Sequence, residues 1–114
     1  MVLSKEKRIF LKTGFTDMRK QINGLSEIAQ ASLPGTPLSG AYFAFCGKTR
    51  RVIKILYWDN TGFCLWQKRL EADSFPWPGK DEVPSEVTRA QLRTLLRGID
   101  VFSAHKQVVY TRVA

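Results

Sequence analysis

The residue types that most often do chemistry are scattered along this chain of 114 residues. A two-metal site needs carboxylates that converge on metals about 4 Å apart, whereas Asp59 and Asp100 fit a turn and a helix end. The sequence contains no phosphate-cradling glycine loop, no H-E-x-x-H motif, no nucleophile elbow and no Cys/His dyad. It therefore predicts a protein that is not an enzyme, with no catalytic residue and no cofactor. The ten acids are Glu6, Asp17, Glu27, Asp59, Glu71, Asp73, Asp81, Glu82, Glu86 and Asp100.

The soft metal ligands are equally sparse. Cys46 and Cys64 are far apart in the sequence, and His105 is the only histidine, whereas a structural zinc site needs four ligands. We expect no metal site and two free, buried thiols in a reducing compartment. The N-terminus has no apolar run typical of a signal sequence, and no segment reaches the roughly 20 apolar residues of a membrane span. These patterns predict a cytoplasmic protein that does not contact a membrane.

Basic residues are the first unusual feature of the sequence. The net charge is +8 and the isoelectric point is near 9.9, which favours polyanionic partners, nucleic acid above all. Arg89, Arg93 and Arg97 recur every four residues, so they form either a phosphate-binding stripe or a solvated helix face. The charge favours nucleic-acid binding only if the basic clusters converge in space. The candidate residues are Arg19, Lys20, Lys48, Arg50, Arg51, Lys54, Lys68, Arg69, Arg89, Arg93 and Arg97.

Two helices are predicted. In the first, Met18, Ile22, Leu25 and Ile28 make an apolar stripe, with Thr16 as the N-cap, Asp17 beside the positive end of the helix dipole, and Pro34-Gly35 ending the run. The second begins at about Thr88, its cap, buries Leu92, Leu95, Leu96 and Ile99, and ends near Gly98. The helices are expected to pack on a sheet.

That sheet is predicted from four strand-like segments. A short strand, Arg8 to Gly14, precedes the first helix. The segments AYFAFCG, RVIKILYWD and FCLWQKRLE are rich in β-branched and aromatic residues, and the tight turns between them predict an antiparallel meander. A three-residue loop at 60–62, with Gly62 left-handed, pairs Trp58 with Cys64, Tyr57 with Leu65 and Leu56 with Trp66.

The aromatic residues of this hairpin have two interpretations. Both faces of its first arm are largely apolar, which favours a central hairpin covered on each side by the two helices, or by one helix and the proline-rich loop at 73–85. The alternative is a stacking platform for bases, which requires aromatics on an open face. Trp58 and Trp66, nearest the turn, are the candidates for such exposure. The overall prediction is one α+β domain over residues 1–114, an antiparallel β-meander packed by two helices, with a tail after residue 101 that is a last short strand or mobile.

Several motifs also resemble a known family. TDMRKQINGL, RVIKILYWDNTGFCLWQKRLE, FPWP and TRAQLRTLLRGID occur in order over about residues 8–101. They resemble the small TnpB accessory protein, the second reading frame, of bacterial insertion-sequence-sixty-six elements. The N-terminal segment, the tail after residue 102 and the Gln21-Ile22 pair depart from this likeness.

The resemblance implies a non-catalytic accessory role in transposition, with the catalytic acids on a separate transposase. It implies no assigned chemistry for the matching residues, which include Asp17, Met18, Trp58, Asp59, Gly62 and Leu65 besides several of the basic candidates. Three functions remain open: a factor that binds DNA at the element ends, an adapter that contacts the transposase or the second small accessory protein without touching DNA, and a general RNA-binding module. A steep fall of affinity with salt would identify the first, and a preference for single strands the third.

Overall fold

The computed structural model describes residues 1–34, 37–80 and 86–98. A five-stranded sheet has a helix on each face, in the strand order β4-β3-β2-β1-β5. The α+β class with a meander and two helices, predicted from the sequence, is thus confirmed. In chain order the elements are β1 (Ile9–Leu11), α1 (Ile22–Ser32), a single 3-10 turn (Pro37–Ser39), β2 (Tyr42–Cys46), β3 (Val52–Trp58), β4 (Phe63–Arg69), β5 (Glu86–Val87) and α2 (Arg89–Leu96).

Strand pairing combines a meander with one parallel contact. β2, β3 and β4 are successive antiparallel neighbours, as expected. β1 lies parallel to β2, with Ile9 beside Tyr42, and α1 makes the crossover that a parallel pair requires. β5, which was not predicted, adds two residues antiparallel to β1.

The two faces of the sheet bury separate apolar clusters, because successive strand residues point to opposite sides. One face packs Ile53 and Ile55 with Leu92 and Leu95 of α2, and Phe75 and Trp77 complete its cover. The other packs Phe43, Phe45 and Leu56 against Leu25 and Ala29 of α1. Each helix therefore stabilises the fold through one buried stripe.

The first helix starts later than predicted. It begins at Ile22, with Gln21 at the N-cap position and no side-chain cap, so Thr16 is not the cap. Instead, Thr16 is buried and its backbone N–H donates to the Cys46 carbonyl at 2.8 Å. The Asp17 carboxylate accepts from the backbone N–H of Arg19 at 2.9 Å and forms a turn. Tertiary contacts with β2 thus hold residues 16–20 outside the helix, although Met18 still packs against the α1 cluster.

The aromatic hairpin is not central. β3 is covered on both faces, but β4 is an edge strand whose residues 63–66 are all half-buried. The turn has four residues, Asp59 to Gly62, so Trp58 pairs with Phe63 and Tyr57 with Cys64, one residue off the predicted register. Asn60 takes the left-handed conformation (φ 86°) in place of Gly62, which asparagine tolerates well.

The second helix begins where the sequence places it. The Thr88 hydroxyl accepts from the Gln91 backbone N–H, and the Gln91 side chain accepts from the Thr88 N–H, which completes a capping box. Gly98 is left-handed (φ 86°) and its N–H donates to the Leu95 carbonyl at 2.8 Å. Ile99 and the tail after residue 101 lie outside the described residues.

Candidate nucleic-acid interface

Strand register brings several chain segments to one end of the sheet. β2 ends at Cys46 beside Ile53, just after the start of β3, and β4 ends at Arg69 beside Val52. β1 runs parallel to β2, so its C-terminal end reaches the same side. We call this side of the molecule the basic end. It carries Arg19, Lys20, Lys48, Arg50, Arg51, Lys68 and Arg69.

The turn between β2 and β3 forms the centre of the basic end. The Gly47 N–H donates to the Val52 carbonyl at 3.1 Å, and the Arg50 N–H donates to the Gly47 carbonyl at 2.9 Å. Arg50 is left-handed (φ 60°), a conformation that costs a residue with a side chain about 1–2 kcal/mol. Lys48, Arg50 and Arg51 are exposed. Across the residues that the structure describes, no acid lies within ion-pair distance of Lys48 or Arg50.

Arg19 and Lys20 reach the basic end through the segment before α1. The hydrogen bond from Thr16 to Cys46 places this segment against the end of β2, and Met18 fits so closely that a β-carbon on Gly47 would lie 2.5 Å from the Met18 Cγ. Arg19 is 91% exposed and its guanidinium lies 2.8 Å from the Asp17 carboxylate. This hydrogen-bonded pair strongly lowers the pKa of Asp17 and raises that of Arg19. Arg19 is therefore partly neutralised, whereas Lys20 is exposed and forms no ion pair within hydrogen-bond distance in the described residues.

The end of β4 supplies two further cations, each with an internal partner. The first is Arg69, whose Nε lies 3.0 Å from the Glu71 carboxylate. Arg51, which precedes β3, donates to the backbone carbonyl of the same Glu71 at 3.1 Å. Lys68 Nζ donates to the Leu96 carbonyl at 3.0 Å, where α2 ends. A cation at a helix C-terminus complements the helix dipole. Lys68 is thus half-buried and ties α2 to the sheet.

Lys54 does not belong to this surface. Its side chain is buried, with 2% exposure, and its ammonium donates to the carbonyls of Met18 and Lys20, both at 2.9 Å. In this fold the residue holds the segment before α1 against β3 and cannot meet a phosphate. Of the predicted binding residues, Lys54 is the one whose placement argues most directly against that role.

The arginines of α2 do not form one stripe on the basic end. Arg89 Nη1 donates to the Leu3 carbonyl at 3.4 Å, beside the start of β2, so Arg89 lies at the opposite end of the sheet. Arg97 follows Leu96, which Lys68 contacts, and lies near the basic end. Arg93 is exposed between them. The helix therefore crosses the sheet from one end to the other, and only Arg97 adds to the basic end.

The aromatic side chains give little support to a stacking platform. Trp58 and Trp66 are half-buried, and Trp58 packs edge-to-face on Phe63 with ring centroids 5.1 Å apart. Trp66 packs against the α2 cluster. Both rings therefore have partners within the protein, and the open face that stacked bases require is missing from the described part of the sheet.

The thiols offer no obvious chemistry either. Both cysteines are free. Burial raises the pKa of Cys46 to about 12, which makes it an inert thiol. Cys64 is half-exposed, unlike its predicted burial, and its Sγ lies 3.4 Å from an Asp59 carboxylate oxygen. In residues 1–34, 37–80 and 86–98, no three His, Cys, Asp or Glu side chains cluster closely enough to hold a metal ion, and none of the helices there has the length and apolar character to cross a membrane.

Comparison with known proteins defines the class. A family model described as "IS66 Orf2 like protein", TnpB of IS66, matches residues 7–106. The chain belongs to this family and is an insertion-sequence-associated accessory protein.

Two relatives come from Sinorhizobium fredii (strain NBRC 101917 / NGR234). The chain is 38% identical over 93 residues to the uncharacterized protein y4hO, covering 82% of this chain and 81% of that protein. It is 29% identical over 97 residues to the uncharacterized protein y4jC, covering 85% and 83% respectively. No solved structure matches the chain significantly.

Proposed function

We propose that this protein binds duplex DNA through its basic end and thereby assists transposition at the ends of the element. The observation that carries the proposal is convergence: β2, β3, β4 and the segment before α1 bring Arg19, Lys20, Lys48, Arg50, Arg51 and Arg69 to one side of the sheet. Family membership supports the setting, since it places the chain among proteins associated with insertion sequences.

The turn at the centre of this surface supports binding more than mere solubility. Gly or Asn would fit the left-handed position with less strain than Arg50. Strain that persists in a fold is often associated with function. Here it accompanies a guanidinium that has no ion-pair partner among the described residues and that lies in a tight β-turn with Lys48 and Arg51. Guanidinium groups match phosphate oxygens in charge and in geometry.

The proposed contacts are with the phosphate backbone. The basic end is built mainly of a turn and strand ends, so we do not expect it to read base sequence. Contacts to phosphates provide affinity for DNA that falls steeply with salt but do not select a base sequence. The choice of DNA site then belongs to the protein's partners, for which the transposase and the second small accessory protein are candidates.

The test measures equilibrium binding of a labelled element-end duplex by fluorescence anisotropy. The basic-end variant carries Lys48→Gln and Arg50→Gly, and the control carries Lys5→Gln and Lys7→Gln, which remove the same charge from the opposite end. If each lost phosphate contact costs about 1 kcal/mol, the basic-end variant binds roughly 10- to 30-fold more weakly. The control stays within about threefold of the wild type.

Stability separates binding from folding in the same variants. Arg50→Gly removes the left-handed strain, so it should raise the stability of the fold by up to about 1 kcal/mol while it weakens binding. Equal losses in both variants would contradict a localised interface. No binding at low salt, with retention of the transposase, would replace the proposal with an adapter that does not touch DNA. Tighter binding of single-stranded RNA would replace it with an RNA-binding module.

A further inference from the structure

Within residues 1–34, 37–80 and 86–98, no strand pairs with the outer edge of β4. In the β3–β4 ladder, the Asp59 N–H donates to the Gly62 carbonyl and the Leu70 N–H donates to the Arg51 carbonyl. Backbone groups of an antiparallel strand alternate between its two sides, so the even-numbered residues of β4 bond to β3. The odd-numbered residues present their N–H and C=O groups outward. These residues are Phe63, Leu65, Gln67 and Arg69.

In the described part of the chain, this edge lacks the usual protection against pairing. All seven residues of β4 pair with β3 in continuous register, without a bulge or a proline, and its only charged residues, Lys68 and Arg69, stand at its C-terminal end. Phe63, Leu65 and Trp66 are half-buried on the two faces. Natural proteins commonly blunt such an edge with charges, prolines or bulges, or cover it. The other edge of the sheet needs no such protection because β5 has only two residues.

We propose that β4 pairs with β4 of a second copy of this chain, antiparallel and centred on Trp66. This register sets Phe63 opposite Arg69 of the other copy and Leu65 opposite Gln67. All four outward residues then lie in hydrogen-bonded pairs, which exchange two bonds each, so the interface gains about eight backbone hydrogen bonds. Trp66 meets its own copy in a non-hydrogen-bonded pair, where side chains approach most closely.

Charge complementarity selects the second copy and its orientation. The β4 strand has Asp59 in the turn at its start and Lys68 and Arg69 at its end. The antiparallel register brings the cationic end of one strand to the acidic turn of the other, with Lys68 opposite Cys64, whose Sγ lies 3.4 Å from the Asp59 carboxylate. A parallel pair would instead align Lys68 with Lys68 and Arg69 with Arg69, which is unfavourable. The result is a ten-stranded sheet with one basic end at each side.

A proline at an outward position tests the pairing without breaking the fold. Gln67 donates no hydrogen bond to β3, so Gln67→Pro removes only an outward N–H, at a place where edge strands accept proline. Gln67→Thr is the matched control, which keeps the N–H and favours a strand. By sedimentation equilibrium, wild type and Gln67→Thr should be dimers, and Gln67→Pro a monomer with an unchanged circular dichroism spectrum.

Cross-linking tests the register. Lys68→Cys places a thiol opposite native Cys64 of the other copy, about 4.5 Å away between α-carbons, which suits a disulfide. Within one chain the two residues are roughly 13 Å apart along the strand and cannot be bridged. Oxidation should give a covalent dimer with Lys68→Cys, and none when Cys64→Ser is added.

Three results would overturn the proposal. The first is a wild-type monomer at concentrations up to about 1 mM, too weak an association to act in a cell. The second is a dimer that survives Gln67→Pro, which would place the interface elsewhere. The third is a monomer destabilised by Gln67→Pro, since the edge would then be filled from within the same chain. DNA binding is scored separately, so either proposal can fail alone.

Discussion

Replacing Lys54 with methionine should destabilise the fold severely. The buried ammonium of Lys54 donates to the Met18 and Lys20 carbonyls, both at 2.9 Å. A hydrogen bond from a charged donor contributes about 1.5–3 kcal/mol. Lys54→Met removes two and leaves both carbonyls without their donor, although it also removes the cost of burying a charge. The expected net loss is about 2–4 kcal/mol.

The assay is urea unfolding followed by tryptophan fluorescence, with the thermal midpoint as a second measure. A loss of this size should lower the midpoint temperature by roughly 10–20 °C. Lys68→Met is the matched control, because Lys68 makes one such bond from a half-buried position, and it should cost about 1 kcal/mol. If Lys54→Met costs no more than Lys68→Met, the assignment of Lys54 as an internal clamp is wrong.

Two further predictions concern packing and pH. Gly47→Ala should lower the free energy of urea unfolding by about 1–3 kcal/mol, because the new β-carbon would lie 2.5 Å from the Met18 Cγ. In the control Gly62→Ala the β-carbon meets open space, so that free energy should change by less than about 0.5 kcal/mol. Equal effects of the two substitutions would contradict the packing of Met18 on Gly47. Folding lowers the pKa of Asp17 through Arg19, of Asp59 through the Thr61 N–H and of Glu86 through Arg8. Their stabilising contribution is therefore complete above the unfolded pKa values near about 4 and is lost as the pH falls through the lower folded values. The thermal midpoint should drop across this acid range, and an unchanged midpoint would refute the ion pairs.

Local signals in the sequence predicted much of the fold. The signals for both ends of α2 are local in the sequence. The helix begins at the capping box of Thr88 and Gln91 and ends just before Gly98, and no distant contact among the described residues opposes these signals. The alternation of Ile53, Ile55 and Tyr57 against Leu56 and Trp58 fixes the two faces of β3, and the structure has the same faces.

Long-range contacts account for what the sequence did not predict. Thr16 looks like a helix cap, but it is buried against β2, with its backbone N–H donating to the Cys46 carbonyl, and α1 starts at Ile22 instead. The four-residue turn depends on the left-handed Asn60, held by Asp59 hydrogen bonds to Thr61 and Gly62, and it shifts the register by one residue. Lys54 alternates with apolar neighbours in a basic stretch, and its burial depends on two carbonyls more than 30 residues away in sequence. The convergence of the basic clusters likewise follows from strand register, which composition cannot supply.

The salt dependence of DNA binding tests the proposed interface most directly. For wild type, the logarithm of the association constant should fall linearly with the logarithm of the salt concentration, with a slope of about −3.6 to −5.4 if four to six phosphates are contacted. Lys48→Gln with Arg50→Gly should make the slope less steep by about 2, and Lys5→Gln with Lys7→Gln should leave it unchanged. A flat wild-type response, or the same change of slope in both variants, would contradict DNA binding through the basic end.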